Sequence, residues 1–343
     1  MKDSNIKLSV IIPYYNADKW IGKILDSLLD QDLSYDTYEI IVVDDGSTQG
    51  IDTLKHYIDN YPNILYFRQD NAGQSVARNN GVDLARGEWL YFCDSDDFIQ
   101  PQVFGFLIKT AEELDLEMLV CDWCVVQPDA GIRAQKKPFP VSRVKTGREY
   151  LASFAPSPMS IGFGVWRFFI KKSILTDNNI RFESISFAED RIFQLDVLLV
   201  VRRVAHVGVN LYYYVQHQAS ITHRPKRENY TVVASWLWRY IEKLSGIITD
   251  NPMSLTPNAI TVLDGWRDMA VFSLLINCFR YCPVSVTKHY LQLLKSQNGA
   301  YPVRIRAPRR TTRIARWLMG HEKLWVFLCR VFHILPFKVR VSL

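Results

Sequence analysis

Residues 94–97 read Asp94-Ser95-Asp96-Asp97, directly after the wholly apolar run 89–93, and Asp44-Asp45-Gly46-Ser47 closes a second apolar run at 39–43. Aspartate is a common turn former and helix cap, but one would suffice for the helix that starts near Pro101. Three in four residues exceed that need. Set at the ends of neighbouring strands, Asp44, Asp45, Asp94, Asp96 and Asp97 would bring five carboxylates to one sheet edge. Like charges so gathered repel unless a cation neutralises them, and carboxylate oxygens favour a hard divalent ion, Mg²⁺ or Mn²⁺. The sequence therefore predicts a metal held at the loops that follow these strands.

Such an arrangement needs strands that point the same way, and the first part of the chain has the pattern for them. Short apolar, β-branched runs at 8–12, 39–43, 64–68, 88–93 and 117–126 alternate with helical patterns around 20–29, 51–61, 75–86 and 101–114. Strands apolar on both faces, separated by helices, predict an α/β fold: a mainly parallel, twisted sheet flanked by helices. After residue 127 a turn-rich stretch intervenes, then strand patterns near 165–170 and 205–215 flank a helix over 191–201, and 229–297 reads mostly as helix.

The motifs carry a family resemblance. SVIIPYYN, EIIVVDDGST, NAGQSVARNNGVDLARGEWLYFCDSDD and FAEDRIF, in this order over residues 6–220, resemble the glycosyltransferase family 2 pattern. The resemblance implies the GT-A fold and an inverting transferase moving a sugar from a nucleotide diphosphate donor, a UDP-sugar, to a hydroxyl of a glycan or lipid-linked acceptor in cell-surface polysaccharide synthesis. It implies that Pro13, Tyr15 and Asp45 form the nucleotide pocket, and that Gln74, Arg78 and Asn79 lie in the stretch lining the donor site. Asp94 and Asp96 match the DxD element, Asp96 on the metal and Asp94 on ribose or metal. Glu189-Asp190 matches the ED pair, with Asp190 the general base and Glu189 orienting the acceptor or a neighbouring loop. His217 and His223 flank a polar stretch after the last strand pattern; His223 is a candidate third metal ligand, with a phosphate contact or an ordinary exposed histidine as the other readings. The remaining histidines, His206 among them, show no partner pattern.

Other activities fit less well. A sugar-nucleotide pyrophosphorylase shares the sheet type and the metal carboxylates but needs a Gly-rich, basic phosphate loop after the first strand, unlike PYYNADKW. A glycoside hydrolase uses two carboxylates without metal or nucleotide. A catalytically silent, membrane-associated nucleotide-sugar binding protein would retain the fold without turnover.

The 343 residues divide by pattern into a transferase domain at 1–225, a helical extension at 226–300 and a basic amphipathic tail at 301–343. Net charge is +6, but the tail holds ten Arg and Lys against one Glu, so it carries +9 and the rest of the chain −3. Its Trp317, Trp325, Phe327 and neighbouring apolar residues interleave with Arg313, Arg316, Lys323 and Arg330, which predicts helices lying on an anionic membrane rather than crossing it. No apolar run approaches the ~20 residues of a membrane span, and no nucleic-acid reading module accompanies the basic residues. Six scattered cysteines, with Cys121 and Cys124 inside a strand pattern, read as buried thiols rather than a zinc set, and no leader pattern opens the sequence. The expected location is cytoplasmic, peripherally attached to the cytoplasmic membrane.

Overall fold

The computed structural model describes residues 6–127, 135, 137–155, 164–184, 189–216, 230–250 and 255–296. The chain forms two compact units, Met1–Tyr150 with Gly162–Arg224, and Leu151–Ile161 with Pro225–Leu343. The tail, His217 and His223 lie outside the described residues.

The first unit opens with three βα steps: β1 (Leu8–Tyr14), α1 (Asp18–Leu29), β2 (Tyr38–Asp45), α2 (Asp52–Asn60), β3 (Ile64–Gln69) and α3 (Gln74–Leu84). Then come β4 (Trp89–Phe92), β5 (Phe98–Ile99), α4 (Phe104–Glu113), β6 (Met118–Val126) and α5 (Gly147–Ala152), within which the unit's first segment ends at Tyr150. The unit resumes with a 3-10 turn at Val165–Arg167, β7 (Phe168–Lys171), α6 (Lys172–Asp177), α7 (Glu189–Val200) and β8 (Val204–Val215). One sheet of order β3-β2-β1-β4-β7-β6-β8-β5 results. β1 to β4 pair in parallel, as do β6 and β8; β7 runs antiparallel between β4 and β6, and β5 antiparallel on β8. Because β7 is reversed, β4, β6 and β8 all end at the edge where β7 begins.

The predicted elements are present to within a few residues. The segment read as a strand at 165–170 begins instead with the 3-10 turn, and the short β5, α5 and α6 carry no periodicity long enough to read from sequence. β2 is buried along its whole length, which is why its sequence is apolar without alternation. Among its few polar residues, Glu39 accepts from the Ser9 hydroxyl at 2.6 Å and from the Arg86 backbone and Nε at 2.7 Å each, so this buried carboxylate is satisfied far from the other acids.

Two packing contacts set the functional edge. Gly81 lets α3 lie against β1: a Cβ there would meet Ile11 Cγ2 at 2.3 Å. Arg78, one turn earlier on the same face, is thereby pressed under the sheet edge. Phe182 and Phe193 stack at 3.9 Å between centroids, and Phe92 packs edge-on against them at 5.1 and 5.7 Å, which fixes α7 to the end of β4.

The second unit consists of α8 (Tyr230–Asp250), α9 (Pro257–Tyr281) and α10 (Val284–Ser296). Thr256 caps α9 by accepting from Ala259 N, with Pro257 at the first helical position. No helix among the described residues is long and apolar enough to cross a membrane.

Candidate active site

The five aspartates expected at one edge are present but divide by role. Asp44 is fully buried and turns towards β3, where it accepts from Ser47 N at 2.8 Å, Tyr66 Oη at 2.7 Å and Arg68 at 2.8 Å. Burial alone would raise its pKa; these donors hold it below the usual carboxylate range. Asp97 is likewise buried, accepting from Tyr212 Oη at 2.5 Å and Val215 N at 2.7 Å. Burial, with the charges of Asp94 and Asp96, pushes Asp97 up to about 8. Both carboxylates hold loops in place, so the convergence of five acids reduces to Asp45, Asp94 and Asp96.

Asp45 closes β2 and anchors the loop before α3: it accepts from Gln69 Nε2 at 2.8 Å, Ala72 N at 2.7 Å and Gly73 N at 2.8 Å. One lone pair on its Oδ2 remains for a ligand. Gly46 follows at φ +74, where a side chain would strike the Asn71 backbone at 2.8 Å. Across from it Asn16, also at positive φ, accepts from Thr48 N at 2.9 Å and Gln49 N at 3.0 Å, latching the end of β1 to the loop after β2. Between these loops Tyr15 is 51% exposed, a large ring in water beside half-buried Pro13.

The centre of the site is Arg78, 2% exposed. One guanidinium nitrogen donates to Asp94 Oδ1 at 2.9 Å and the other to Asp190 Oδ1 at 2.9 Å, with Glu189 Oε1 at 3.6 Å. Phe182 lies under the guanidinium, 5.3 Å from its centroid. Glu189 also accepts from Gln74 Nε2, which ties the first turn of α7 to the first turn of α3. The sequence reading of Arg78 as a donor-site residue competes with a surface position on its helix; the structure buries it between the two acidic motifs. Glu189 is buried and held by Gln74 and Arg78, while Asp190 is half-buried and also accepts from Val165 N–H. Burial raises Asp190, Arg78 opposes this, and Glu189 and Asp94 add to it, giving about 7. One cation cannot neutralise three acids. Asn79, expected nearby, instead exchanges two 2.9 Å hydrogen bonds with the Phe182 backbone and so braces the segment before α7.

Asp94 and Asp96 are half-buried hard-oxygen donors in the turn between β4 and β5. Among the described residues no group of three acids, histidines or cysteines forms a complete metal cage. The oxygens of Asp94 and Asp96 would suit a hard divalent cation.

Sequence reasoning missed Tyr212, which donates to Asp97 and accepts from Asp94 N at 3.1 Å, fixing the acidic turn from β8. In LYYYV it is one of three tyrosines, and only the pairing of β8 with its neighbours distinguishes it. His206 has a partner after all, Asp122 Oδ1 at 2.9 Å from Nε2. Cys121 is buried, Cys124 half-buried, and both are free thiols.

The chain is similar to known proteins in sequence and in fold. The model of glycosyl transferase family 2 matches residues 9–175. The uncharacterized glycosyltransferase YibD of Escherichia coli (strain K12) is 32% identical over 263 residues, covering 74% of this chain and 75% of that protein. Poly(ribitol-phosphate) beta-N-acetylglucosaminyltransferase TarS of Staphylococcus aureus (strain Mu50 / ATCC 700699) is 27% identical over 219 residues, 61% of this chain and 35% of TarS. In structure, S. aureus TarS 1-349 in complex with UDP superposes at TM-score 0.62 and 19% identity over 98% of this chain and 94% of that one. The mannosyltransferase PcManGT of Pyrobaculum calidifontis, in complex with GDP-Man and Mn²⁺, superposes at TM-score 0.51 and 16% identity, covering 97% and 88%. The chain has the GT-A fold, belongs to glycosyltransferase family 2 and is a glycosyltransferase.

Proposed function

We propose that the protein is an inverting glycosyltransferase that takes a sugar from a UDP-sugar and delivers it to a hydroxyl of a glycan or lipid-linked acceptor in cell-surface polysaccharide synthesis. The observation that carries this reading is the bridge of Arg78 between Asp94 and Asp190, which ties the diphosphate-binding turn to a carboxylate suited to proton abstraction. The relative TarS, crystallised with UDP, supports the uridine donor.

Tyr15 and Pro13 flank the base, and Asp45 accepts from its edge. Asp94 and Asp96 would hold Mn²⁺ or Mg²⁺, which the complex of PcManGT with Mn²⁺ supports, and there it would supply Lewis-acid stabilisation of negative charge. Asp190 accepts the proton from the acceptor hydroxyl as that oxygen bonds to the anomeric carbon and the bond to the diphosphate breaks, giving UDP and the inverted glycoside. A pKa raised towards neutrality suits a base. Glu189, held by Gln74 and Arg78, positions Asp190. The loop after β1 is Tyr15-Asn16-Ala17, latched by Asn16, which disfavours the pyrophosphorylase alternative. His223 remains a candidate third ligand, and the basic tail a peripheral attachment to the cytoplasmic membrane face.

The test is UDP release from a panel of UDP-, GDP- and dTDP-sugars with Mn²⁺ and with EDTA. Release confined to a UDP-sugar and abolished by EDTA is expected. Binding without turnover of any sugar nucleotide supports the silent alternative, and full turnover in EDTA overturns the metal.

A further inference from the structure

The sheet order sets out the site along one edge. Asp45 and Tyr15 stand at β2 and β1, Asp94 and Asp96 after β4, and Asp190 against Val165, in the turn that opens β7. Next along the edge come β6 and β8, where an aromatic cluster runs from the buried Trp166 and Tyr212 out to the exposed Trp123. Trp166, adjacent to Val165, stacks flat on Tyr212, with centroids 4.4 Å apart and planes 7° apart. Trp123 on β6 meets Trp166 edge-on at 5.1 Å, and Tyr214 on β8 lies 6.5 Å from Trp123 and from Trp166. β6 is buried from Met118 to Cys121 and then alternates, with Trp123 37% and Val125 46% exposed. By contrast Trp89, at the start of β4, is wholly buried. The fold leaves the Trp123 indole partly in water on the outer half of β6, packed on Trp166, whose neighbour Val165 hydrogen-bonds Asp190.

Displacement with inversion brings the acceptor from the side away from the diphosphate. With the diphosphate at Asp94 and Asp96 and the base at β7, that approach runs over β7, β6 and β8. A pyranose ring is apolar on its C–H faces and polar round its rim. An indole face covers the first and leaves the second to water. An acyclic polyol phosphate has no flat apolar face and calls for cations, which the aromatic group does not supply.

We propose that Trp123, backed by Trp166 and Tyr214, is an acceptor subsite for a pyranose ring, so that the acceptor is a glycan and not a ring-less polyol phosphate. This rests on the reading of Asp190 as base and of β1 and β2 as the donor side.

The experiment uses the full-length protein with Mn²⁺ and the UDP-sugar whose slow hydrolysis it supports. UDP release is measured with water alone, then with methyl β-D-glucopyranoside, methyl β-D-galactopyranoside or methyl N-acetyl-β-D-glucosaminide, and with ribitol 5-phosphate as the ring-less probe. At least one pyranoside should accelerate release. Trp123→Ala should lower kcat/KM for it about tenfold, mainly through KM, with hydrolysis and UDP affinity unchanged, and Trp123→Phe should stay within about threefold. Acceleration by ribitol 5-phosphate alone, no acceleration by any pyranoside while hydrolysis runs, or an unchanged KM in Trp123→Ala overturns the proposal. Absence of both UDP binding and hydrolysis in the wild type instead overturns the donor reading, and the subsite with it.

Discussion

Arg78 offers two nitrogens of one rigid fork to Asp94 and Asp190, which a lysine ammonium cannot span in the same way. Arg78→Lys should therefore fold but transfer at least about tenfold more slowly, whereas Arg78→Ala, leaving buried acids without their cation, should lower unfolding stability by about 3–5 kcal/mol in urea titration. Asp190, raised to about 7, acts as a base only when ionised, so kcat/KM should climb with pH up to neutrality and level off above it; a flat profile between about pH 5.5 and 8.5 contradicts the assignment. Asp97 bears on stability instead. Its folded pKa of about 8 lies above the ~3.9 of an unfolded aspartate, so the folded state holds the extra proton. Its contribution to stability is complete below the unfolded value and is lost as pH rises through the folded one. In EDTA the urea midpoint should fall from pH 5.5 to 8, and Asp97→Asn should flatten that fall. Residue type and spacing drew attention to the aspartates at 44, 45, 94, 96 and 97, and the family resemblance to Asp190. They could not separate Asp44 from Asp45, because the difference lies in Tyr66 and Arg68, brought alongside only when β3 pairs with β2.

At the scale of elements, the close approach of α3 to β1 decides where Arg78 lies. Gly81→Ala puts a methyl into Ile11 and should destabilise by about 1–3 kcal/mol while reducing turnover. Gly22 in α1 has its nearest neighbour at 3.5 Å, so Gly22→Ala should be neutral or stabilising by up to about 1 kcal/mol. Thermal melts of the two variants make the comparison. β8 fixes the acidic turn through Tyr212, and Tyr212→Phe should raise the Mn²⁺ concentration needed for half-maximal UDP binding by about tenfold, a buried carboxyl and a backbone amide having lost their partner. An unchanged metal requirement would show that Tyr212 serves packing alone. The alternation of apolar runs and helical periods made β1 to β4 legible in sequence. It could not give the reversal of β7, because strand direction depends on which neighbour a strand meets, nor the two-residue β5, too short to carry a period.

At the scale of the molecule, charge is divided between an acidic remainder at −3 and a tail at +9, and the tail's alternation of Trp and Phe with Arg and Lys suits a lipid surface. The full-length protein should sediment with anionic vesicles at low salt and be released at high salt. Replacing Arg309, Arg310, Arg313 and Arg316 by Glu should abolish sedimentation, and equal sedimentation of that variant excludes the tail as the attachment. Family membership was legible because short motifs at strand ends survive in order along the chain, whereas acceptor choice was not, since Trp123, Trp166 and Tyr214 become neighbours only in the folded sheet. In the proposed mechanism one sheet edge separates donor binding from proton abstraction, and Asp190 serves only the latter. The most direct measurement is a paired determination, on the wild type and Asp190→Asn, of UDP affinity by calorimetry and of sugar transfer with Mn²⁺ present. The expected result is a UDP Kd within about threefold of wild type and transfer reduced by about a thousandfold or more. Transfer near the wild-type rate, or loss of UDP binding in step with activity, would contradict it.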